Sequence, residues 1–188
     1  MKRIVLFASG SGSNVERIIE YFRSNPIVEV SAVFCNNPNA AVVERAVRNQ
    51  VPVVVFSKED LNKGLVAERV RTYFPDLIVL AGFLLHMPHQ FVEKFPGKII
   101  NIHPALLPKY GGKGMYGKFV HQAVIDEGDQ ETGITIHYVN EHYDKGEVIF
   151  QKSISIDKCK DADEIAAKVQ KLEHEYLPKI IEQILRKH

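Results

Sequence analysis

The chain has 188 residues, of which 45% are hydrophobic and 25% charged, and its formal net charge is +1. This composition is typical of a soluble globular protein and excludes a disordered chain. Lys and Arg are spread along the sequence, so no basic patch predicts a nucleic-acid partner or an anionic membrane, and small-molecule partners are favoured. The length predicts one domain, over 1–188.

Cysteines and apolar runs restrict the class further. Cys35 and Cys159 show neither a CxxC motif nor a Cys/His ligand spacing, so we expect no zinc site, no disulfide and no metal. No apolar run approaches the roughly 20 residues of a membrane span. The opening MKRIVLFASG has too short an apolar stretch for a signal peptide and is interpreted as a first strand. These features predict a cytoplasmic protein with no membrane partner.

Short runs rich in Val, Ile and Leu alternate with amphipathic segments in the first half of the chain. The strand candidates in chain order are RIVLFAS, VEVSAVFC, VPVVVF, LIVLAGF and KIINIH. Strands that alternate with helices predict a parallel sheet covered on both faces, which is a three-layer, doubly wound α/β fold.

The later runs TGITIHYV and EVIFQKSISI alternate more clearly between polar and apolar residues, and only a loop separates them. They predict strands with one wetter face, added at the sheet edge in antiparallel or mixed fashion. From Asp161 to Lys187 apolar residues recur every three or four positions, so a long amphipathic helix should close the chain.

The turn SGSGSN at residues 9–14 lies between the first strand and a helix expected to begin near Asn14. Glycines let backbone N–H groups approach a ligand, and a helix N-terminus favours an anion, so the turn suits a phosphate. A tight βα turn without a ligand is the structural alternative. Val15 occupies the place of the third glycine of a dinucleotide fingerprint, and no lysine completes a Walker loop. A monophosphate is therefore favoured over NAD or ATP.

Asn101 and His103 end the fifth strand candidate, two residues apart. Strand alternation places both side chains on one side, at the carboxyl edge where doubly wound sheets bind ligands. An amide beside an imidazole can stabilise an oxyanion and also move a proton. A structural histidine is the alternative.

Asp144 and His137 are further candidates with strong structural alternatives. Asp144 stands in YDKG, residues 143–146, and by itself is more typical of a turn aspartate. His137 stands inside a strand run, where a hydrogen-bonded core histidine is as good an interpretation as a supporting site residue.

Five segments together resemble the phosphoribosylglycinamide formyltransferases, the folate-dependent enzymes of purine synthesis. They are SGSGSN, LAGF at 80–83, INIHPALLPKYGG at 100–112, ETGITIHYV at 131–139 and YDKGEVIFQ at 143–151. They occur in the family's order over essentially the whole chain. The Asn-x-His pair and the later aspartate are shared by the wider group of enzymes that use 10-formyltetrahydrofolate. The resemblance implies a Rossmann-like formyltransferase domain.

The resemblance also implies a mechanism with Asn101, His103 and Asp144 as the catalytic residues. The substrate amine attacks the formyl carbon, and Asn101 and protonated His103 stabilise the oxyanion. Asp144 pairs with His103 and helps to move the proton to the departing folate nitrogen. The co-substrate implied is 10-formyltetrahydrofolate, without NAD or metal.

Binding residues are implied in the same way. The ribonucleotide contacts are Gly12, Ser13, Asn14, Lys109 and Glu173. The folate contacts are Phe83, Leu84, Leu85, His86, Met87, Val139, Asn140, Glu141 and Tyr143. Leu84-Leu85 stands where relatives often have methionine-arginine, so the polar contacts to the folate should differ.

Two other functions remain possible at this point. A formyltetrahydrofolate hydrolase shares the same three catalytic residues, whereas a non-catalytic nucleotide-binding protein has no use for them together. We expect a monomer or a homodimer.

Overall fold

The computed structural model describes residues 1–142 and 144–187. Within these residues, seven strands form one sheet in the order β3-β2-β1-β4-β5-β6-β7. The first five strands pair in parallel, and β6 and β7 run antiparallel to their neighbours. The predicted mixed, mostly parallel sheet is therefore confirmed. The strands are β1 (Lys2–Ala8), β2 (Val28–Cys35), β3 (Val53–Val55), β4 (Leu77–Leu80), β5 (Ile99–His103), β6 (Glu131–Tyr138) and β7 (Val148–Ser155).

Helices cover both faces of this sheet, as the alternating sequence predicts. The helices of the described residues are α1 (Ser13–Phe22), α2 (Ala41–Arg48), α3 (Lys58–Asn62), α4 (Leu65–Arg71), α5 (His89–Lys94), α6 (Lys118–Asp126) and α7 (Ala162–Lys187). One hydrophobic core lies between the sheet and α1, α2, α6 and α7. A second core lies under α3, α4 and α5.

Strand β1 shows why the chain forms two cores. Its side chains alternate, so Ile4 and Leu6 enter the first core while Val5 and Phe7 enter the second. All four are fully buried. A strand buried on both faces needs apolar residues at every position, which explains the continuous run in the sequence.

The expectation of a wetter face is wrong for β6 and right for β7. Every residue of β6 from Thr132 to His137 is buried, whereas most of β7 is exposed or half-buried. Helix α7 packs on β6, and the segment after β5 covers its other side. A Cβ atom at Gly133 would lie 2.7 Å from Leu106 Cδ2.

The predicted C-terminal helix is confirmed as α7. Its apolar stripe is buried against the first core, and Tyr176 is half-buried beside it. Pro178 lies inside the helix. No helix within residues 1–142 and 144–187 is long and apolar enough to cross a membrane.

The strand order reverses between β1 and β4, because the chain moves outward from β1 in both directions. The connections at such a point leave on opposite faces and open a crevice at the carboxyl ends of the strands. The Gly-Ser turn follows β1, and Asn101 and His103 end β5, so the fold brings these two motifs to one edge.

Candidate active site

A cleft of about 620 Å³ opens at the carboxyl ends of β1, β4 and β5. One wall is formed by residues 10–14 and by the α7 residues Ala166, Val169, Gln170 and Glu173. The other wall contains residues 80–87 with Val139 and Asn140. Asn101, His103, His137 and Asp144 also line the cleft, so the three residues expected to act in catalysis and the possible supporting His137 are brought together.

The pairing of β5 with β6 sets the first polar contact of the site. Asn101 lies directly opposite His137 in the antiparallel register, so their side chains emerge on the same face. The Asn101 Nδ2 and His137 Nε2 atoms are 3.1 Å apart. His137 Nδ1 lies 2.9 Å from the carbonyl oxygen of Tyr138 and must donate to it, since a carbonyl only accepts. The hydrogen bond from Nδ1 therefore fixes the orientation of the His137 ring, with Nε2 beside the Asn101 amide.

His103 is buried, with 3% of its surface exposed. Its Nε2 donates a hydrogen bond to the carbonyl oxygen of Tyr110 at 2.7 Å, which places a proton on that nitrogen. The other nitrogen, Nδ1, lies 3.6 Å from Asp144 Oδ2. The nitrogen that gains or loses a proton is therefore Nδ1, beside the carboxylate.

The charge state of His103 differs from the expectation. Burial lowers the pKa of His103, and this effect outweighs the opposing effects of the Asp144 carboxylate and the Tyr110 carbonyl. The expected protonated imidazole is thus not the favoured form of the unliganded site. A neutral imidazole with a free Nδ1 is instead suited to accept a proton.

Asp144 is held by three neighbours. Its Oδ2 accepts a hydrogen bond from the Gly112 N–H at 2.9 Å, and its Oδ1 lies 3.5 Å from His137 Nε2. Burial alone would raise the pKa of Asp144, but the contacts with His137, His103 and Gly112 together lower it. Asp144 is therefore a carboxylate at neutral pH.

Backbone geometry explains the sequence around Asp144. Asp144 itself has a φ of +52°, a left-handed conformation that Asp tolerates better than most residues. A Cβ at Gly146 would collide with the Tyr138 carbonyl oxygen. The glycine two residues after Asp144 is thus required by a close approach to the strand that carries His137.

The Gly-Ser turn leads directly into α1. Gly12 has a φ of +72°, and a Cβ there would collide with Val42 of α2. The Glu16 N–H donates to the Gly12 carbonyl oxygen, so the earlier N–H groups of the helix lie ahead of its hydrogen-bonded ladder and favour an anion. The turn is therefore tight, and it also presents a helix N-terminus to the cleft. Phosphate binding at this turn stays a prediction.

Two hydrogen bonds join α1 to α7 at this wall. The Asn14 Nδ2 donates to Glu173 Oε2 at 2.8 Å, and the Gln170 Nε2 donates to Ser13 Oγ at 3.0 Å. Burial raises the pKa of Glu173 to about 7, and the hydrogen bond from Asn14 offsets only part of this rise. At neutral pH Glu173 is therefore protonated in much of the population.

Two of the expected binding residues, Lys109 and Glu141, are not brought to the cleft. The Lys109 ammonium lies 3.0 Å from Asp129 Oδ2, and its side chain is 65% exposed outside the cleft. Glu141 lies 3.2 Å from His89 Nδ1 and does not line the cleft. Tyr143 falls outside the described residues.

The remaining residues expected to contact folate form the second wall. They are Phe83, Leu84, Leu85, His86, Met87, Val139 and Asn140. Phe83, Leu85 and Val139 also pack against the second core, so this wall extends that core to the cleft. The Phe83 ring contacts Phe7 edge-on with 5.3 Å between ring centroids.

The structure also shows residues that the sequence analysis missed. Thr135 Oγ1 donates to the Ala105 carbonyl oxygen and accepts from the Leu107 N–H, which fixes the segment after His103. His121 of α6 lines the cleft and is 5% exposed. Alternation along β6 from His137 could have indicated Thr135, but nothing in the local sequence distinguishes His121. No group of three or more His, Cys, Asp or Glu residues in the described parts of the chain could hold a metal ion.

Comparisons with known proteins agree with this arrangement. The family model described as formyl transferase matches residues 2–181. The chain is 36% identical over 191 residues to phosphoribosylglycinamide formyltransferase of Bacillus subtilis, and the match covers 98% of this chain and 95% of the relative. It is 36% identical over 187 residues to the chloroplastic enzyme of that name from Arabidopsis thaliana, where the match covers 96% of this chain but only 64% of the plant protein's length.

A solved structure shows the same architecture. The crystal structure of phosphoribosylglycinamide formyltransferase from Anaplasma phagocytophilum superposes with a TM-score of 0.90 at 31% identity, over 99% of this chain and 88% of that one. Because the family model spans residues 2–181 and a relative of 36% identity matches nearly the whole chain, the chain belongs to the formyl transferase family.

Proposed function

We propose that this protein transfers the formyl group of 10-formyltetrahydrofolate to the glycine amine of phosphoribosylglycinamide, a step of purine synthesis. The observation that carries the proposal is the meeting of Asn101, His103 and Asp144 in one cleft with the N-terminus of α1. The relatives named for this activity support it. We place the protein in the cytoplasm, as a monomer or homodimer, although the plant relative is named as chloroplastic.

The α1 wall suits the ribonucleotide. A phosphate at Gly12, Ser13 and Asn14 would meet unpaired N–H groups and the positive end of the helix dipole. Glu173 lies beside this position through its bond to Asn14. Because its pKa is raised to about 7, Glu173 adds little negative charge near a phosphate and can donate a hydrogen bond to a sugar hydroxyl.

The opposite wall suits the folate. Phe83, Leu85, Met87 and Val139 give it an apolar surface continuous with the second core. Flat heteroaromatic rings bind in such clefts when a few polar groups fix their orientation. Asn140 lies on the same wall, and its amide keeps one N–H beyond the hydrogen bond to the Lys145 carbonyl oxygen.

The proposed chemistry follows from the two nitrogens of His103. The amine nitrogen bonds to the formyl carbon, and the carbonyl electron pair moves to oxygen, where the Asn101 amide donates a hydrogen bond. His103 Nδ1 takes the proton that the amine must lose, while Asp144 stabilises the imidazolium that forms. The carbon–nitrogen bond to the folate then breaks, and the same proton passes to the departing nitrogen. His103 therefore begins and ends the cycle neutral.

An absorbance assay for deformylated folate tests this function. We expect rapid turnover only when phosphoribosylglycinamide is present, with one formylated ribonucleotide formed for each folate consumed. The acceptor supplies the nucleophile, and its phosphate supplies the orientation. Release of formate at the same rate without the acceptor would instead identify a hydrolase.

A further inference from the structure

His121 is a buried imidazole that the proposed chemistry does not use. It lies on α6, lines the cleft and is 5% exposed. Its Nδ1 atom is enclosed by protein and has no hydrogen-bond partner among the described residues. Buried polar atoms are normally paired, because an unmade hydrogen bond at such an atom costs free energy. No hydrogen bond between Nδ1 and another described residue therefore fixes the orientation of the ring.

The neutral ring must place its single N–H on one of two nitrogens. Burial and the positive charge that His103 can carry both lower the pKa of His121, so the imidazole is neutral at physiological pH. A proton on Nδ1 would be an enclosed donor without an acceptor. Nε2 is not among the enclosed unpaired atoms of the described residues, and the ring faces the cleft. The favoured tautomer therefore carries its proton on Nε2 and presents a donor to the cleft.

The position of α6 indicates which part of the cleft receives this donor. Helix α6 packs on α7, which carries Gln170 and Glu173 of the ribonucleotide wall. His121 is also close enough to His103 for the two rings to influence each other's charge. The donor therefore lies near the reacting groups and near the α7 side of the α1–α7 wall.

A ribonucleotide bound as proposed has one oxygen suited to this position. Its phosphate lies at the N-terminus of α1 and its amine beside His103. The glycinamide carbonyl is separated from that amine by a single methylene group, so its oxygen must lie close to the reacting end. Ribose hydroxyls lie nearer to Glu173. A neutral N–H donor is well matched to an amide carbonyl oxygen.

We propose that His121 is a ribonucleotide-binding residue whose Nε2–H donates a hydrogen bond to the carbonyl oxygen of the glycinamide group. This inference rests on the proposed function. It assigns a contact that orients the amine toward the formyl carbon before the reaction begins.

Calorimetric titration with phosphoribosylglycinamide, in the absence of folate, tests the contact directly. His121→Leu should weaken binding by about tenfold, the usual effect of losing one hydrogen bond to substrate. His121→Gln should retain most of the affinity, because its terminal amide N–H can reach the position of Nε2. His121→Asn should behave like His121→Leu, because its shorter amide reaches only the position of Nδ1.

His174 provides a matched control. It is a histidine of α7 with an enclosed, unpaired Nε2, and it does not line the cleft. His174→Leu should leave ribonucleotide binding unchanged. Thermal unfolding of each variant identifies any that fail to fold, and replacing a buried unpaired imidazole by an apolar side chain should preserve folding.

The outcomes separate this inference from the function on which it rests. Absence of ribonucleotide binding by the unmodified protein would reject the proposed function. If the unmodified protein binds and turns over substrate, equal affinities in all His121 variants would overturn the inference. An unchanged affinity with lowered kcat would also overturn it, because the donor would then act only on the oxyanion of the reaction.

Discussion

At the scale of single residues, the two ring nitrogens of His103 have different partners and different roles. Its Nε2 is committed to the Tyr110 carbonyl oxygen, and its Nδ1 faces Asp144 across 3.6 Å. Burial disfavours the imidazolium, while the carboxylate favours it. The two effects oppose each other, so the pKa of His103 depends on Asp144 although burial dominates.

We expect the substitution Asp144→Asn to move the acidic limb of the pH profile to lower pH. The proposed chemistry requires neutral His103, so kcat/KM should rise as pH increases through the pKa of His103 in the free enzyme. Removing the carboxylate removes an effect that raises this pKa, so the pKa falls further below the ordinary value of about 6.5. The limiting rate should also fall by about a hundredfold, the scale of general acid–base catalysis. Measurement of kcat/KM between about pH 4.5 and 8 checks both effects.

The double variant His103→Ala/Asp144→Asn is the control for this coupling. If the two residues share one proton path, the double variant should be about as slow as His103→Ala alone. Two results would contradict the pairing of His103 with Asp144. One is an acidic limb of Asp144→Asn at higher pH, and the other is a rate loss in the double variant equal to the product of the two single losses.

Strand alternation predicted that Asn101 and His103 lie together, and only the family resemblance added Asp144 to them. Neither predicted the balance of charges among the three residues. Alternation along one strand places Asn101 and His103 on one side, and this follows from backbone geometry alone. The pKa of His103 depends on its burial and on a carbonyl seven residues later, which local patterns do not encode. His121 was missed for the same reason, since its importance arises only from the unpaired nitrogen and the cleft.

At the scale of secondary-structure elements, the contact between α1 and α7 forms the wall that we propose for the ribonucleotide. It combines apolar packing of the first core with the two polar bonds from Asn14 to Glu173 and from Gln170 to Ser13. Glu173 lies 159 residues after its partner. Sequence spacing could not predict this contact, and only the family resemblance indicated Glu173.

We expect Glu173→Gln to change how the free energy of unfolding depends on pH. The pKa of Glu173 in the folded protein is about 7, above the value of about 4.3 in an unfolded chain. Its contribution is therefore most favourable below about pH 4.3 and is lost as pH rises through about 7. The Gln variant lacks this loss. Between about pH 5 and 8.5, its free energy of unfolding should therefore rise by on the order of 2 kcal/mol relative to that of the unmodified protein. Urea unfolding at both pH values measures the difference.

The variant Glu164→Gln serves as the control. Glu164 is an exposed acidic residue in the first turn of the same helix. Its variant should keep the loss of stability that the unmodified protein shows as pH rises through about 7, because the Glu173 carboxyl group is unchanged. Parallel curves for Glu173→Gln would show that burial does not raise its pKa as described.

Element packing also explains two expectations that differ from the structure. Strand β6 is buried on both faces because the Pro104–Leu107 segment folds back over it, held by Thr135. The same arrangement turns Lys109 toward Asp129 and away from the cleft. Both effects depend on the path of the segment after β5. The hydrophobic periodicity of the sequence and the spacing of its motifs do not determine this path.

At the scale of the whole molecule, the reversal of strand order places two chemically different walls at one edge. The wall from α1 and α7 extends the first core and carries polar groups, while the wall from residues 80–87 and 139–140 extends the second core and is largely apolar. The polar residues at the end of β5 lie between them. Under the proposed function, the sheet therefore separates the binding surfaces of the two substrates and still lets their reacting groups meet.

This architecture predicts that the phosphate contributes to catalysis as well as to binding. Glycinamide riboside, which lacks the phosphate, should show a lower kcat than phosphoribosylglycinamide, with kcat/KM reduced by about a hundredfold or more. The anchor at the N-terminus of α1 is distant from the formyl carbon, so its binding energy can act only by holding the amine in line with that carbon. Steady-state kinetics with both acceptors at saturating folate measures the effect.

Inorganic phosphate gives this prediction a control. Added phosphate should fill the empty anchor without restoring the rate with glycinamide riboside, because an anion that is not joined to the ribose cannot hold the amine in line with the formyl carbon. The same phosphate should inhibit the reaction of phosphoribosylglycinamide competitively, because both anions need the N–H groups at the start of α1. If glycinamide riboside instead reaches the full kcat at high concentration and only its KM is raised, the anchor stabilises the bound substrate and the transition state equally. The amine would then be oriented by the groups around His103 alone.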